Sequence, residues 1–390
     1  MLKRIVLVLG VILIVLIAGT FGYIYSITVE RPVAPGPLHS ELYNTGYQQA
    51  AKEADQWLLH LYKSNQIPSL SAAVGVKGEL VWAGAVGYKN LQESQPVAID
   101  TQYRIGSISK PFTSVAALRL QEKGFLDINK TFNSYWPEFS KGSAEYSVKQ
   151  LMSHQAGIRH YRSMVENFKN TDYPTTHMAA EIVEHDPLLC SPGDCFNYST
   201  YGYTLLALAM EQAAKSSFEE ILFHELIIPL NLESTRLDSP RAHAENNVAE
   251  TYLFQAERLL QAPEVNLSYK YAGGGLLSTP SDVVKFGNAL LTNNILSSAS
   301  KKLLWEPGVL SDGSMNPDGY ALGFRVGEDE FGRFIHHGGM SVGGTSFFII
   351  YPKSDIVVAF ASNVAPLDSG INRYIEAKKL FQIFMGSSKH

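Results

Sequence analysis

Ser107 and Lys110 stand three residues apart in the run Tyr103-Arg104-Ile105-Gly106-Ser107-Ile108-Ser109-Lys110-Pro111-Phe112-Thr113. The stretch that follows, Val115 to Leu120, is largely apolar and compatible with a helix. If Ser107 opens that helix, Lys110 lies over the same face. An amine beside a hydroxyl can take its proton once burial or another cation has lowered the amine's own pKa. The helix N-terminus favours the negative charge that develops when the hydroxyl attacks a carbonyl. Such spacing can make a serine nucleophile without a neighbouring histidine. It also recurs at Ser298-Ala299-Ser300-Lys301, where the polar cluster from Leu296 to Lys302 reads as a loop entering a helix. For Ser107 alone, the competing reading is a helix cap.

Two further groups decide between these readings. One is Tyr198-Ser199-Thr200, within Pro192-Gly193-Asp194-Cys195-Phe196-Asn197-Tyr198-Ser199-Thr200-Tyr201-Gly202-Tyr203. The other is His336-His337-Gly338-Gly339, ahead of the turn Val342-Gly343-Gly344. Taken in order, the three groups resemble the signature of the serine β-lactamase-related hydrolases: Ser-x-x-Lys, then Tyr-x-Asn, then Lys/His-x-Gly. That superfamily holds class C β-lactamases, DD-peptidases and related esterases. Three stretches resemble its branch typified by the mitochondrial serine β-lactamase-like protein. They are Ser153 to Tyr161, Tyr198 to Tyr203, and Tyr269-Lys270-Tyr271-Ala272-Gly273-Gly274-Gly275-Leu276-Leu277-Ser278-Thr279.

The resemblance, which runs from about Ile67 to the C-terminal helix, implies a β-lactamase/transpeptidase-like fold and an acyl-serine intermediate. Ser107 is then the nucleophile, and Lys110 and Tyr198 share its proton, Tyr198 passing it to the leaving group. Backbone N–H groups of Ser107 and Gly339, beside Gly338, would form an oxyanion hole. His336 would line the cleft and orient the Tyr198 hydroxyl, while His337, by alternation along a strand, would face away. Two departures weaken any grip on β-lactams. Thr200 replaces the amide of Asn by a hydroxyl, and His336 replaces a lysine by a pH-dependent cation. His154 and His160 read as structural. Ala272 to Gly275 lacks the Lys-Ser/Thr partner of a phosphate loop and reads as a tight turn beside the cleft.

These residues need a scaffold. Leu42 to Tyr62 reads as a helix, with Trp57, Leu58 and Leu61 as its apolar face. Leu70–Val76 and Leu80–Val86 around Lys77-Gly78 read as a hairpin. From Ser107 to about Leu291 the pattern is mostly helical, and Thr279-Pro280-Ser281-Asp282 is a helix start. Strand-like runs return at Tyr320–Val326, Phe334–His337, Phe347–Tyr351 and Ile356–Ser362, before a terminal helix over Asn372–Phe384. Strands at both ends with helices between predict an α+β fold: one mainly antiparallel sheet, a helical lobe and a cleft between them.

The chain has 390 residues, 45% hydrophobic, with a net charge of −5 and no basic tract, so nucleic-acid binding has no electrostatic support. No metal-binding spacing accompanies the histidines, and the chemistry calls for no cofactor. Lys3 and Arg4 precede an uncharged run from Ile5 to Val29, long enough to span a bilayer. Residues 1–29 are read as an anchor whose positive flank stays in the cytoplasm; a signal peptide cleaved after Ala18-Gly19-Thr20 is the rival. Residues 30–40, with Pro32, Pro35 and Pro37, read as a linker, and residues 41–386 as the hydrolase domain. In an exported chain Cys190 and Cys195 can close a short disulfide loop.

The expected protein is a single-pass inner-membrane serine hydrolase whose domain lies on the periplasmic side and acts on peptide amides. A carboxylesterase or weak β-lactamase is the alternative within the fold. A non-catalytic peptide or cell-wall binding protein is the alternative outside it. The sequence leaves its oligomeric state open.

Overall fold

The computed structural model describes residues 26–30, 36–65, 67–139, 145–244, 247–292, 295–367 and 371–387. Its frame is an antiparallel sheet built from both ends of the chain. The strands are β1 (Leu38–Leu42), β2 (Ser69–Val76), β3 (Glu79–Asn90), β4 (Arg325–Asp329), β5 (Gly332–Ser341), β6 (Gly344–Tyr351) and β7 (Ile356–Ser362). Their spatial order is β1-β3-β2-β7-β6-β5-β4, and the short strand Gln95–Pro96 pairs with β3. The two halves of the chain join where β2 pairs with β7, with Ala73 opposite Ala359.

Period-two alternation gives the sheet two buried faces. On β2, Leu70, Ala72, Val74 and Val76 enter one core while Ala73 enters the other. The first core is closed by helices α1 (Gln48–Ser64) and α5 (Arg373–Ser387), through Trp57, Leu58, Leu380 and Phe381. The second is closed by α2 (Ser109–Glu122), α3 (Thr200–Ala214) and α4 (Pro280–Leu291) of the helical lobe.

Helix α2 runs through the middle of this lobe. Ten of its first eleven residues from Ser109 to Arg119 are buried, Lys110 among them, as expected for a helix enclosed on all sides. Pro111 is tolerated because it falls in the first turn, where an N–H has no helical partner. Phe112 stacks on Phe286 of α4, ring centroids 4.0 Å apart. Gly106 opens the approach with a φ of +52°, a conformation that glycine adopts without cost.

Several boundaries differ from the sequence reading. Leu42 ends strand β1, opposite Trp82, and the helix starts only at Gln48. The Asn44 side chain accepts from Gly46 N–H at 3.0 Å and turns the chain between them. Leu38–Ser40 is strand where a linker was expected. Ser107 does not open α2 but sits in a 3-10 turn over Gly106–Ile108, still three residues before Lys110. Tyr320–Phe324 forms a turn, closed by Ala321 N–H to Phe324 O at 2.8 Å, so only Arg325 and Val326 of that run are strand. Strand β5 continues through Gly338 and Gly339 because β6 pairs with it as far as Ser341.

The apolar run read as an anchor lies outside the described residues except at its end. There Val29 is buried and donates to Leu259 O at 2.9 Å, on a hairpin formed by Tyr252–Gln255 and Arg258–Gln261. Among the described residues, no helix is long and apolar enough to cross a membrane.

Phe112→Ala would leave a cavity between α2 and α4. A loss of about 3–5 kcal/mol in stability is expected, measured by urea denaturation of the purified protein.

Candidate active site

Lys110 is wholly buried, and its Nζ donates to Ser107 Oγ at 3.3 Å, Thr200 Oγ1 at 3.3 Å and Gly273 O at 2.5 Å. All three partners are neutral. Burial, then the charges of Lys270 and Arg325, hold its pKa well below the ordinary lysine value. The amine is therefore suited to the neutral form in which it can accept the Ser107 proton. Ser107 is half-buried at the start of the lobe.

Tyr198 precedes α3, and the Lys110 ammonium position lies 4.7 Å from its ring centroid. The tyrosine keeps part of its surface at the cleft. Burial pushes its hydroxyl up to about 12, against the opposing pull of the Ser107 hydroxyl and the Arg325 guanidinium. It is a phenol at neutral pH and can donate a proton rather than act as a resting phenolate. Thr200, two residues on, supplies a hydroxyl oxygen to Lys110 where an amide would have offered both donor and acceptor.

The loop before α3 is fixed by the Ser153–Tyr161 stretch. His154 Nδ1 accepts from Ser199 N–H at 3.2 Å, and His160 Nδ1 accepts from Thr200 N–H at 3.3 Å. Ser199 caps α3 through Gly202 N–H at 3.0 Å and donates its hydroxyl to Arg159 O at 2.6 Å. Each of these imidazoles must stay neutral to accept. Burial lowers both, His160 to about 4. They are positioning groups, in keeping with the structural reading of the sequence.

The two histidines of β5 exchange the places expected of them. His336 packs between Phe334 and Phe347, 5.4 Å from each ring, on the face that α5 covers. His337 shares the face of Ile335 and turns towards the lobe, where its ring neighbours Tyr198 and Tyr320. The alternation was right and its phase was wrong. The phase is set by the aromatic core behind the sheet, which takes Phe334 and therefore His336. His337 Nδ1 lies 2.7 Å from Gly338 O, which can only accept, so this nitrogen carries the proton and Nε2 accepts from Tyr320 Oη at 3.1 Å. Burial keeps His337 far below its ordinary pKa.

The oxyanion donor on β5 shifts in the same way. Ser341 and Gly344 close the hairpin, and Gly339 pairs with Ser346. In a two-residue hairpin the closing pair and every second pair exchange hydrogen bonds. Gly339 N–H is thus spent on β6, and Met340 N–H points to the open edge. A Cβ on Gly106 would come within 2.6 Å of Met340 N, which places that group beside the Ser107 turn. Gly339 is needed for closeness: a Cβ there would strike Ile105 O and Ser346 Oγ. Gly338 lies on the far face, against Arg373.

A beta-lactamase profile matches residues 54–380. This chain belongs to the beta-lactamase family. It is 26% identical to the mouse (Mus musculus) mitochondrial serine beta-lactamase-like protein LACTB, over 86% of this chain and 79% of that one. An octameric penicillin-binding protein homologue from Pyrococcus abyssi has the same fold, with a TM-score of 0.74 and 23% identity, over 86% of this chain and 77% of that one. So has a class C beta-lactamase, with a TM-score of 0.71 and 20% identity, over 87% and 98%.

Within this beta-lactamase-family site, sequence reasoning missed Arg325, Lys270, Tyr320, His337 and Met340. Arg325 stacks near the Tyr198 and Tyr320 rings, 5.8 and 5.3 Å from their centroids, and pairs with Asp318 at 2.5 Å. Only the phase of β5 could have found His337 and Met340. Cys190 and Cys195 are joined by a disulfide, Cα atoms 6.2 Å apart, in the loop that leads to Tyr198. Ser298, by contrast, lies in a helix capped by Ser297, remote in role from any of these groups.

Exchanging either histidine tests this arrangement. His337→Ala should slow modification of Ser107 by a fluorophosphonate about tenfold, the worth of one lost buried hydrogen bond. His336→Ala should stay within about threefold on the same scale. The rates are read by gel fluorescence over time.

Proposed function

We propose that this protein is a serine hydrolase that cleaves peptide amide bonds through an acyl-Ser107 intermediate. The observation that carries the proposal is the contact of a buried, charge-depressed Lys110 amine with the Ser107 hydroxyl, beside a protonated Tyr198. Lys110 takes the Ser107 proton as the hydroxyl attacks the carbonyl. Ser107 and Met340 N–H groups bind the oxyanion. Tyr198 delivers a proton to the leaving nitrogen and is restored through Lys110. Water then repeats the sequence on the acyl-enzyme. No metal or organic cofactor enters.

An amide needs this proton more than an ester does, because an amine leaves only when protonated. A Tyr198 hydroxyl held near 12 is always loaded for that step. Carboxylesterase activity is the second reading, since the same nucleophile acylates on esters. Efficient β-lactam hydrolysis is disfavoured: a neutral His337 offers no charge to a substrate carboxylate. A purely binding role would leave the Ser107–Lys110–Tyr198 arrangement without use.

We further propose that residues 1–29 anchor the protein in the cytoplasmic membrane with the domain outside. The uncharged run behind Lys3 and Arg4 supports this, and so does the Cys190–Cys195 disulfide.

Ser107→Ala should abolish fluorophosphonate labelling, and Lys110→Ala should lower turnover by about a hundred- to ten-thousand-fold. Tyr198→Phe should cost a similar factor, roughly a hundredfold or more, on anilide or peptide substrates. It should cost far less on p-nitrophenyl esters, whose leaving group needs no proton. Equal losses on both would overturn the proton-relay role.

The pH dependence has a definite sign. Only neutral Lys110 accepts the proton, so kcat/KM rises as pH climbs through its lowered pKa and then stays flat until Tyr198 ionises near 12. A stopped-time assay between pH 5 and 10 checks the rising limb.

A reporter active only outside the cytoplasm, fused after His390, should be active, with the full-length chain sedimenting with membranes. A soluble form starting shortly after Ala18 would instead mark a cleaved signal peptide.

A further inference from the structure

A second lysine, Lys270, is 2% exposed in the lobe, and the mechanism above does not use it. It ends a 3-10 turn over Ser268–Lys270 and stands three residues before Gly273, whose carbonyl receives the Lys110 Nζ. One turn of backbone thus carries both the acceptor that fixes Lys110 and a second amine. Lys270 Nζ donates to Asn167 Oδ1 at 2.7 Å and lies 5.5 and 5.2 Å from the Tyr161 and Tyr269 ring centroids. Among the described residues, no carboxylate forms an ion pair with it.

We propose that Lys270 is a positioning residue whose charge keeps Lys110 unprotonated and so sets the pH at which Ser107 becomes nucleophilic. This rests on the serine-hydrolase reading. Burial of two amines in one lobe gives each a reason to shed its proton, and whichever stays charged depresses the other. Of the charges that lower Lys110, Lys270 is the largest and Arg325 the next. Lys270 itself is brought to about 7 by burial, with Arg104 adding to the fall and Asp238 opposing it. The charge therefore acts most where it is needed, at and below neutrality.

Apart from one carboxylate, Asp238, beside Lys270, the groups that face the two amines are cationic or neutral. Facing Lys110 are Ser107 on the turn before α2, Tyr198 and Thr200 at the start of α3, Tyr203, and Arg325 on β4, while His154, His160 and His337 would feel its charge were it protonated. Facing Lys270 are Asn167, Tyr161, Tyr269, His160, Arg104 and Asp238. Asp238 is already committed to Arg104 at 2.6 Å and to His243 at 2.5 Å.

The test compares wild type, Lys270→Met and Lys270→Arg. Met keeps a straight buried chain and removes the charge; Arg keeps the charge at every pH. The rate of Ser107 modification by a fluorophosphonate is followed from pH 5 to 10. The midpoint of the rising limb should move up by about one unit in Lys270→Met, the usual size of a protein-induced shift, and should not rise in Lys270→Arg. In parallel, the Lys110 Cε resonance, assigned through Lys110→Arg, is titrated by NMR in protein labelled at lysine. It should move upward by the same amount in Lys270→Met. A Met variant that reacts more slowly with an unchanged midpoint and an unchanged Lys110 titration would make Lys270 a packing residue and overturn the proposal. If wild-type Ser107 is never modified, the hydrolase reading falls, while the titration still decides whether Lys270 governs Lys110.

Discussion

An amine is buried at the centre of this protein, and among the described residues no carboxylate holds its charge. That constraint organises the site. Moving an ammonium out of water costs several kcal/mol unless it is paired, and among the described residues Lys110 has only a hydroxyl pair and a carbonyl as partners. The lower-energy course is to lose the proton. A deprotonated amine can accept a proton from the Ser107 hydroxyl, so the burial that shields Lys110 also suits it to the base role proposed for it. Helix α2 is accordingly buried on every side rather than amphipathic, and Ser109 and Thr113, one turn apart, tie it to Gly106 O and Ala272 O at 2.7 Å each.

The same constraint shapes the wall opposite. Strand β5 must bring a backbone N–H to the Ser107 turn without placing a side chain in the way. Gly339 meets that need, because the strand crosses Ile105 O too closely for any Cβ. The position of Met340 N–H then follows from hairpin register alone, and its side chain, 60% exposed, hangs at the mouth of the cleft. Substrate would meet a backbone donor whose direction is fixed by seven residue pairs along β6 and not by a mobile side chain.

How much of this could be read from the sequence depended on whether a feature was local. Ser107, Lys110 and Tyr198 carry their chemistry in residue type and short spacing, and the α+β arrangement followed from strands at both ends of the chain. The helix start at Thr279 is local too, and Thr279 Oγ1 does accept from Asp282 N–H at 3.2 Å. What failed was non-local. The phase of β5, which exchanges His336 for His337 and Gly339 for Met340, is decided by aromatic packing against α5, more than thirty residues away in the chain. Leu42 joined a strand because β3 was there to pair with it. Lys270 and Arg325 looked like ordinary cations, since nothing in their own neighbourhoods announces that the fold will gather them around Lys110.

That gathering serves more than one step. Lys270 and Arg325 converge on Lys110 and three imidazoles, while the nearby acids are already engaged: Glu166 and Asp186 by Arg159, Asp318 by Arg325. The net field is positive. Burial, aided by this field, keeps His154 and His160 neutral, which they must be if they are to accept the N–H groups of Ser199 and Thr200 and so hold Tyr198 in place. It disfavours protonation of Lys110. It also favours the negative charge that a tetrahedral intermediate would place beside Ser107. A carboxylate set next to Lys110 would reverse all three effects together: it would charge the amine, draw protons onto the imidazoles and repel the oxyanion. The pairing of the nearby acids with arginines is thus as much a part of the site as the residues that fill it.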